Sequence, residues 1–418
     1  MTDQLSPATA PAPPGPAIGY RDVFVVAEFR AVFAAHALSL LGVVISEIAL
    51  TVLVYDLTGS PLLSALTFAL GFLPYLVGGT LLAGVADRYP ARRVLVVCDL
   101  VCAGCVALMV LPSTPVAALL ALRCAVAAVA PVFNGTRMAT LADILGHGER
   151  FVLGRSLVRI VAQSAQLVGF GIGGVLLTLV PARGAIAITA VTFLGSAALL
   201  RFGTGRRPAR MGSGGGTLLR ESLEGARLVF RDRRLRLLTL MFWVPPMFAV
   251  APEALAAPYA DRIGAGGAAL GLLMCALPVG HIAGELLAGS ALSGAVRSRS
   301  VLPLAVCSLL PLLVYTVRPG LPLAVLVLLL AGLGSAYSLG LDQWYVAAVP
   351  EELRGRAMTL LTAGMMTLQG LGMAAAGVVA EFVPVHRAVA WFGAVGAGCV
   401  AVLALRLRKI GYRSPRRG

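Results

Sequence analysis

The 418 residues are 58% hydrophobic and only 13% charged, with a mean hydropathy of +0.89. These values exclude an ordinary soluble globular domain and require a lipid solvent. The net charge of +15 comes almost wholly from arginines scattered over many loops without interleaved aromatics, which speaks against a nucleic-acid partner.

The first 21 residues, rich in Pro and Ala, lack an apolar signal core and read as a disordered cytoplasmic tail. Apolar stretches then recur at 30–55, 62–86, 94–112, 116–138, 153–180, 184–202, 236–260, 267–290, 299–317, 321–348, 358–383 and 387–406. A helix rising about 1.5 Å per residue crosses a hydrocarbon core of roughly 30 Å with stretches of this length. The expectation is an all-α membrane protein with twelve transmembrane helices and no β-barrel alternation.

Lys and Arg mark the cytoplasmic loops. With the termini and even-numbered loops inside, 29 of the 34 cations are cytoplasmic. Arg183, Arg262, Arg318 and Arg387 lie outside, and Arg123 lies within a span. That geometry predicts a multi-pass protein of the inner cell membrane with both termini cytoplasmic. Its cationic face would attract anionic lipid headgroups at roughly 1 kcal/mol per cation near the surface.

Between the sixth and seventh spans the chain turns hydrophilic, as GTGRRPARMGSGGG followed by LLRESLEGARLVFRDRRLR. Leu219, Leu223, Ala226 and Phe230 recur there at helical spacing, predicting an amphipathic helix on the headgroups within a 203–234 linker. The domains expected are residues 22–202 and 235–406, closed by a basic tail at 407–418.

The two halves resemble each other. Gln166, Gly169, Gly174, Val180 and Pro181 return 203 residues later as Gln369, Gly372, Gly377, Val383 and Pro384. LLAG at 81–84 returns at 286–289, and the Arg30/Glu47 pair returns with the same separation as Arg236/Glu253. Repeats at nearly constant offset predict two pseudo-symmetric six-helix bundles with a substrate path between them.

Seven cysteines all fall in predicted spans, so no disulfide framework is implied. Cys98, Cys102 and Cys105 are spaced to share a face but read as small packing residues, and neither a metal nor a cofactor is expected.

The loop AGVADRYPARRVL after the second span is similar to the G-x-x-x-D-R-x-G-R-R signature of the major facilitator superfamily, with Asp87, Arg88 and Arg92 in register. Ala83, Pro90 and Ala91 depart from it. VLVYDLTGSP and VPEELRGRAM resemble the branch of enterobactin and macrolide exporters. GFGIGG at 169–174 is similar to the antiporter signature G-P-x-x-G-G, with Phe170 in place of its proline.

The resemblance implies a major facilitator fold over residues 22–406 and a gating loop at Asp87, Arg88, Arg92 and Arg356. It also implies an antiporter-like motif at Gly169, Gly173 and Gly174, whose glycines alone read equally as close helix packing.

Ionisable groups inside a span cost at least roughly 2.5–3.5 kcal/mol at mid-helix and are functional candidates by default. Glu47, Arg123 and Glu253 each lie about eight residues, or roughly 12 Å, from the outer ends of their helices. They form one expected layer, with Arg123 between two carboxylates that exchange a proton against cargo. A structural ion pair is the competing reading. His281 and Glu285, one turn apart, read as a proton relay or an interhelical hydrogen bond. Gln163, Gln166 and Gln369 read as cargo contacts or helix glue, and Asp99 and Asp342 as packing acids. Prolines at 245, 246, 252 and 258 predict an irregular seventh helix.

No P-loop, HExxH or G-x-S-x-G is present, so an enzyme is not expected. The leading expectation is a monomeric exporter of a small amphipathic organic molecule driven by protons. A facilitator or importer of a small metabolite and a transport-dead sensor stand as alternatives.

Overall fold

The computed structural model describes residues 20–73, 89–146, 149–207, 230–350 and 354–409. Among them every regular element is helical. The first half comprises α1 (Tyr20–Phe24), α2 (Ala27–Thr58), α3 (Pro61–Phe72), α4 (Ala91–Val110), α5 (Val116–Leu145), α6 (Glu149–Leu179) and α7 (Ala182–Gly203). The second comprises α8 (Arg233–Ala249), α9 (Ala251–Ala254), α10 (Ala256–Arg262), α11 (Gly267–Ala291), α12 (Gly294–Cys307), a 3-10 segment (Leu310–Val317), α13 (Leu321–Gly334), α14 (Tyr337–Ala348), α15 (Arg354–Phe382) and α16 (Val385–Lys409). Among the described residues, eleven candidate spans are long and apolar enough to cross a membrane. The second expected span is described only as α3, because 74–88 lie outside the described residues, as do the 208–229 part of the linker with its expected amphipathic helix and most of both tails.

Local chemistry sets the helix ends. Between α2 and α3 the chain turns in two residues, Gly59 in the left-handed region at φ 64° and Ser60 as N-cap, whose hydroxyl accepts from Leu63 N at 3.2 Å. Pro61 follows at the first helical position, where its missing N–H costs nothing. Asp232 starts α8 by accepting from Arg234 N and Leu235 N.

The seventh expected span is three helices, broken at Val250 and Leu255, as its prolines predict. The fourth runs to Leu145, seven residues past its expected end. Arg137, near that expected end, is therefore an interior helical residue, 7% exposed.

Lipid tails are as apolar as leucine, so helices associate through close packing rather than hydrophobic exclusion. Gly280 and Gly284 on α11 form a GxxxG face against α13. A Cβ on Gly280 would collide with the Leu329 carbonyl, and one on Gly284 would lie 2.5 Å from the Leu333 carbonyl oxygen.

The repeated glycines do repeated work. Gly169 of α6 lies against Val44 of α2, and its counterpart Gly372 of α15 against Met247 of α8, so each joins two helices of one half. Gly174 lies against Gly267 and Gly271 of α11, and its counterpart Gly377 against Leu62 and Ala65 of α3, so each joins the two halves.

Contact between the halves follows the same pairs, α3 with α15 and α6 with α11, joined by α9 and α10 against α3 and by α10 against α2. Among the described residues, Val44, Ile48, Ala65, Phe68, Ala69 and Phe170 of the first half enter the large buried cluster of the second. Among the described residues the bundles therefore meet in the middle of the helices and at the end where α2 gives way to α3, here called distal.

Gly284→Val should force α11 from α13 and cost about 1–3 kcal/mol, read as a lower unfolding midpoint in detergent. An unchanged midpoint would show that this contact carries no packing.

Candidate functional site

Glu47 of α2 and Arg123 of α5 form an ion pair through Oε1 and Nη2, with side chains 14% and 10% exposed. The same guanidinium donates from Nε to the Thr67 carbonyl of α3 at 3.2 Å. Three helices therefore converge on one cation. Thr51 sits one turn along α2, its hydroxyl 2.7 Å from the Glu47 carbonyl oxygen and 2.5 Å from the Thr67 hydroxyl. Gly71 leaves the space the pair occupies: a Cβ there would collide with the Arg123 guanidinium and lie 3.0 Å from Glu47 Oε1. The sequence carried no signal for Gly71, because two other helices impose its requirement.

Glu253 sits on α9, the single turn between the two breaks, and lies within electrostatic range of Glu47. Among the described residues it has no hydrogen bond or ion pair. The expected arrangement, Arg123 between two carboxylates, is thus an asymmetric one. Arg123 is committed to Glu47 and the Thr67 carbonyl, and Glu253 of the second half has only the electrostatic influence of Glu47.

His281 Nε2 is 3.0 Å from Glu285 Oε1, which also accepts from the Ser338 hydroxyl of α14 at 3.3 Å. Both side chains are about two-fifths exposed. Fourteen residues along α11, roughly 21 Å from its start, this pair lies apart from the Glu47 layer. Gln166 is exposed and Gln369 half-buried, neither with a hydrogen bond among the described residues.

Asp87 and Arg88 lie outside the described residues, as do the side chains of Gln163 and Arg356. Arg92, expected in the gating loop, donates to the Thr204 carbonyl at 3.1 Å and ties the start of α4 to the end of α7. Gly169, Gly173 and Gly174 pack against Val44, Ile48 and Gly271 respectively, the packing use of that motif.

Two features lay outside the sequence expectations. At the distal end Glu381 of α15 accepts from the Ser60 hydroxyl and from Leu62 N, the latter at 3.1 Å, so it caps α3 from the other half. Tyr55 donates to Asp261 at 3.5 Å across the same seam. Inside the first bundle, Arg137 binds His36 Nδ1 and donates to Asn134 Oδ1 at 2.7 Å. Asp99, fully buried, accepts from Ser196 at 2.6 Å, in keeping with a packing acid.

A family model described as Major Facilitator Superfamily matches residues 32–254, more than half of the chain. No curated protein sequence matches. Among solved structures, the nucleoside transporter NupG superposes with a TM-score of 0.71 at 14% identity, covering 92% of this chain and 100% of that one. The POT family transporter PepTSo gives 0.68 at 11%, covering 93% and 99%. A bacterial homolog of the human lysosomal transporter Spinster, inward-facing and unoccupied, gives 0.61 at 15%, covering 91% and 95%. At these identities the likeness is one of fold.

Gly71→Ala should displace Arg123 and impair transport, whereas Arg123→Ala, which strands a buried carboxylate, should also lose roughly 3–5 kcal/mol of stability. Wild-type transport by Gly71→Ala would show that the position of the ion pair does not matter.

Proposed function

We propose that this chain, which belongs to the Major Facilitator Superfamily, exports a small amphipathic organic molecule by proton antiport and alternating access. That it is a multi-pass membrane transporter, and not an enzyme, follows from the family. The cargo class, the direction and the coupling are our reading.

One observation carries it. The Glu47–Arg123 pair belongs to the first half and Glu253 to the second, and Glu253 lies within electrostatic range of Glu47. Rocking one half against the other changes their separation, and with it the water and charge around each carboxylate. A carboxylate with two environments has two proton affinities, so protonation and conformation are linked. Among the described residues, side-chain hydrogen bonds join the halves at the distal end.

A drug, antibiotic or siderophore suits this chain better than a sugar. Its only asparagine, Asn134, is engaged by Arg137, which leaves few side-chain amides to satisfy a polyol. The resemblance to the enterobactin and macrolide exporters supports the same cargo class. Asp87, Arg88, Arg92 and Arg356 remain our proposed gating residues, although Arg92 would have to release Thr204 to take part. His281 and Glu285 fit a relay at the linker end, and Gln166 and Gln369 are proposed cavity groups.

We place the chain in the inner cell membrane as a monomer, with both termini and the linker cytoplasmic. Cysteine introduced at Ser213 should then resist impermeant thiol reagents in intact cells. Ready labelling would reverse the orientation and the direction with it.

Coupling is tested in liposomes with an imposed pH difference and a fluorescent dye as cargo. Glu47→Gln and Glu253→Gln should each abolish gradient-driven accumulation while preserving downhill exchange, because the amide mimics the protonated acid. If the wild type moves dye equally well with the gradient collapsed, the chain is a facilitator.

A further inference from the structure

Four arginines lie on the loops opposite the cation-rich face, and they have two fates. Arg183 is a helix cap. Its guanidinium donates to the carbonyls of Met109, Val110, Leu111 and Pro112 at the end of α4, the ordinary use of a cation at a helix C-terminus.

The other three gather at the distal end of the second bundle. Arg262 ends α10, Arg318 lies in the turn between the 3-10 segment and α13, and Arg387 lies in the first turn of α16 beside His386. Tyr259, Arg262, Arg318, Pro384 and His386 line a cavity of about 310 Å³. His386 lies within electrostatic range of all three arginines.

We propose that this cavity binds a phosphate-type anion. The cations there lack a carboxylate of their own: the ion pairs among the described residues are Arg123–Glu47, Arg207–Glu28 and His281–Glu285. The nearby acids have hydrogen-bond partners of their own, Glu381 with Ser60 and Leu62, and Asp261 with the Tyr55 hydroxyl, which also meets the Arg262 side chain.

The site is also built rather than merely exposed. Arg318 is the one described non-glycine residue with positive φ, at 53°, a conformation that costs of order 1–2 kcal/mol for an L-residue. In it the guanidinium donates to the Arg262 carbonyl at 2.8 Å, fixing two arginines of different elements against each other. The buried Tyr259 hydroxyl donates to the Pro319 carbonyl and holds that turn on α10. The first N–H groups of α16, which have no intrahelical acceptors, add to the same positive field.

Planar guanidinium forks match tetrahedral oxyanions bidentately. Two of them line the cavity with an imidazole, and Arg387 lies beyond the lining within electrostatic range of His386. The phosphate can belong to free inorganic phosphate or to a phospholipid headgroup.

The test uses the full chain in nanodiscs. In phosphatidylcholine discs, inorganic phosphate should raise the unfolding midpoint with a saturable concentration dependence, and potassium chloride at equal ionic strength should not. If the source is lipid, phosphatidylglycerol discs should give the rise without added phosphate, and native mass spectrometry should show retained phosphatidylglycerol. In either arm Arg262→Gln/Arg318→Gln should abolish the response. Arg262→Gln alone, which changes an exposed lining side chain and leaves the carbonyl that Arg318 uses, should weaken apparent affinity about tenfold. No rise in either disc, or a rise that survives in Arg262→Gln undiminished, overturns the proposal.

Discussion

The constraint on which this structure depends is the close approach of helix backbones in a solvent that does nothing to push helices together. Gly280 and Gly284 let α11 touch the carbonyls of α13, and Gly174 and Gly377 let the two halves touch at α6–α11 and α3–α15. Contacts of this kind depend steeply on distance. A seam made from them is either closed or open, with little between, and that is the property a transporter working by alternating access requires.

The ion pair of Glu47 and Arg123 builds on that packing. Its guanidinium fits because Gly71 has no side chain, and it is fixed because the Thr67 carbonyl takes a second donor. A charge buried among three helices is costly unless its geometry is determined this fully. Glu253, on a single turn isolated by two helix breaks, is the contrasting case. It sits opposite a satisfied pair without a partner of its own among the described residues, and a group so placed is free to respond to changes around it.

Much of this was legible in the sequence, and the limits are physical. Span length and hydropathy are one-dimensional, so the helices were readable, and the 203-residue offset between Gly174 and Gly377 exposed the internal repeat. The prolines of the seventh span foretold its breaks. What could not be read was any requirement that distant segments impose on each other. Gly71 looks like any glycine in an apolar run. Arg137 looked like a boundary cation because hydropathy cannot tell a helix end from a buried network, yet it engages His36 and Asn134 inside the bundle. Glu381, near the end of the eleventh expected span, carried no signal, and its role as a cap exists only because α3 of the other half begins beside it.

That cap has a kinetic meaning. Any motion that parts α3 from α15 removes the acceptor from Leu62 N and the Ser60 hydroxyl, and returns a carboxylate to the aqueous phase. Water can satisfy all three as they separate, since they lie at the exposed rim, so the exchange is nearly even in free energy. The glycine contacts deeper in the seam have no such substitute and lose their dispersion outright. Separation that starts at the rim would therefore be cheap and frequent, and separation that reaches Gly174 and Gly377 rare. The seam should fray at its wet edge many times for each occasion on which it parts completely.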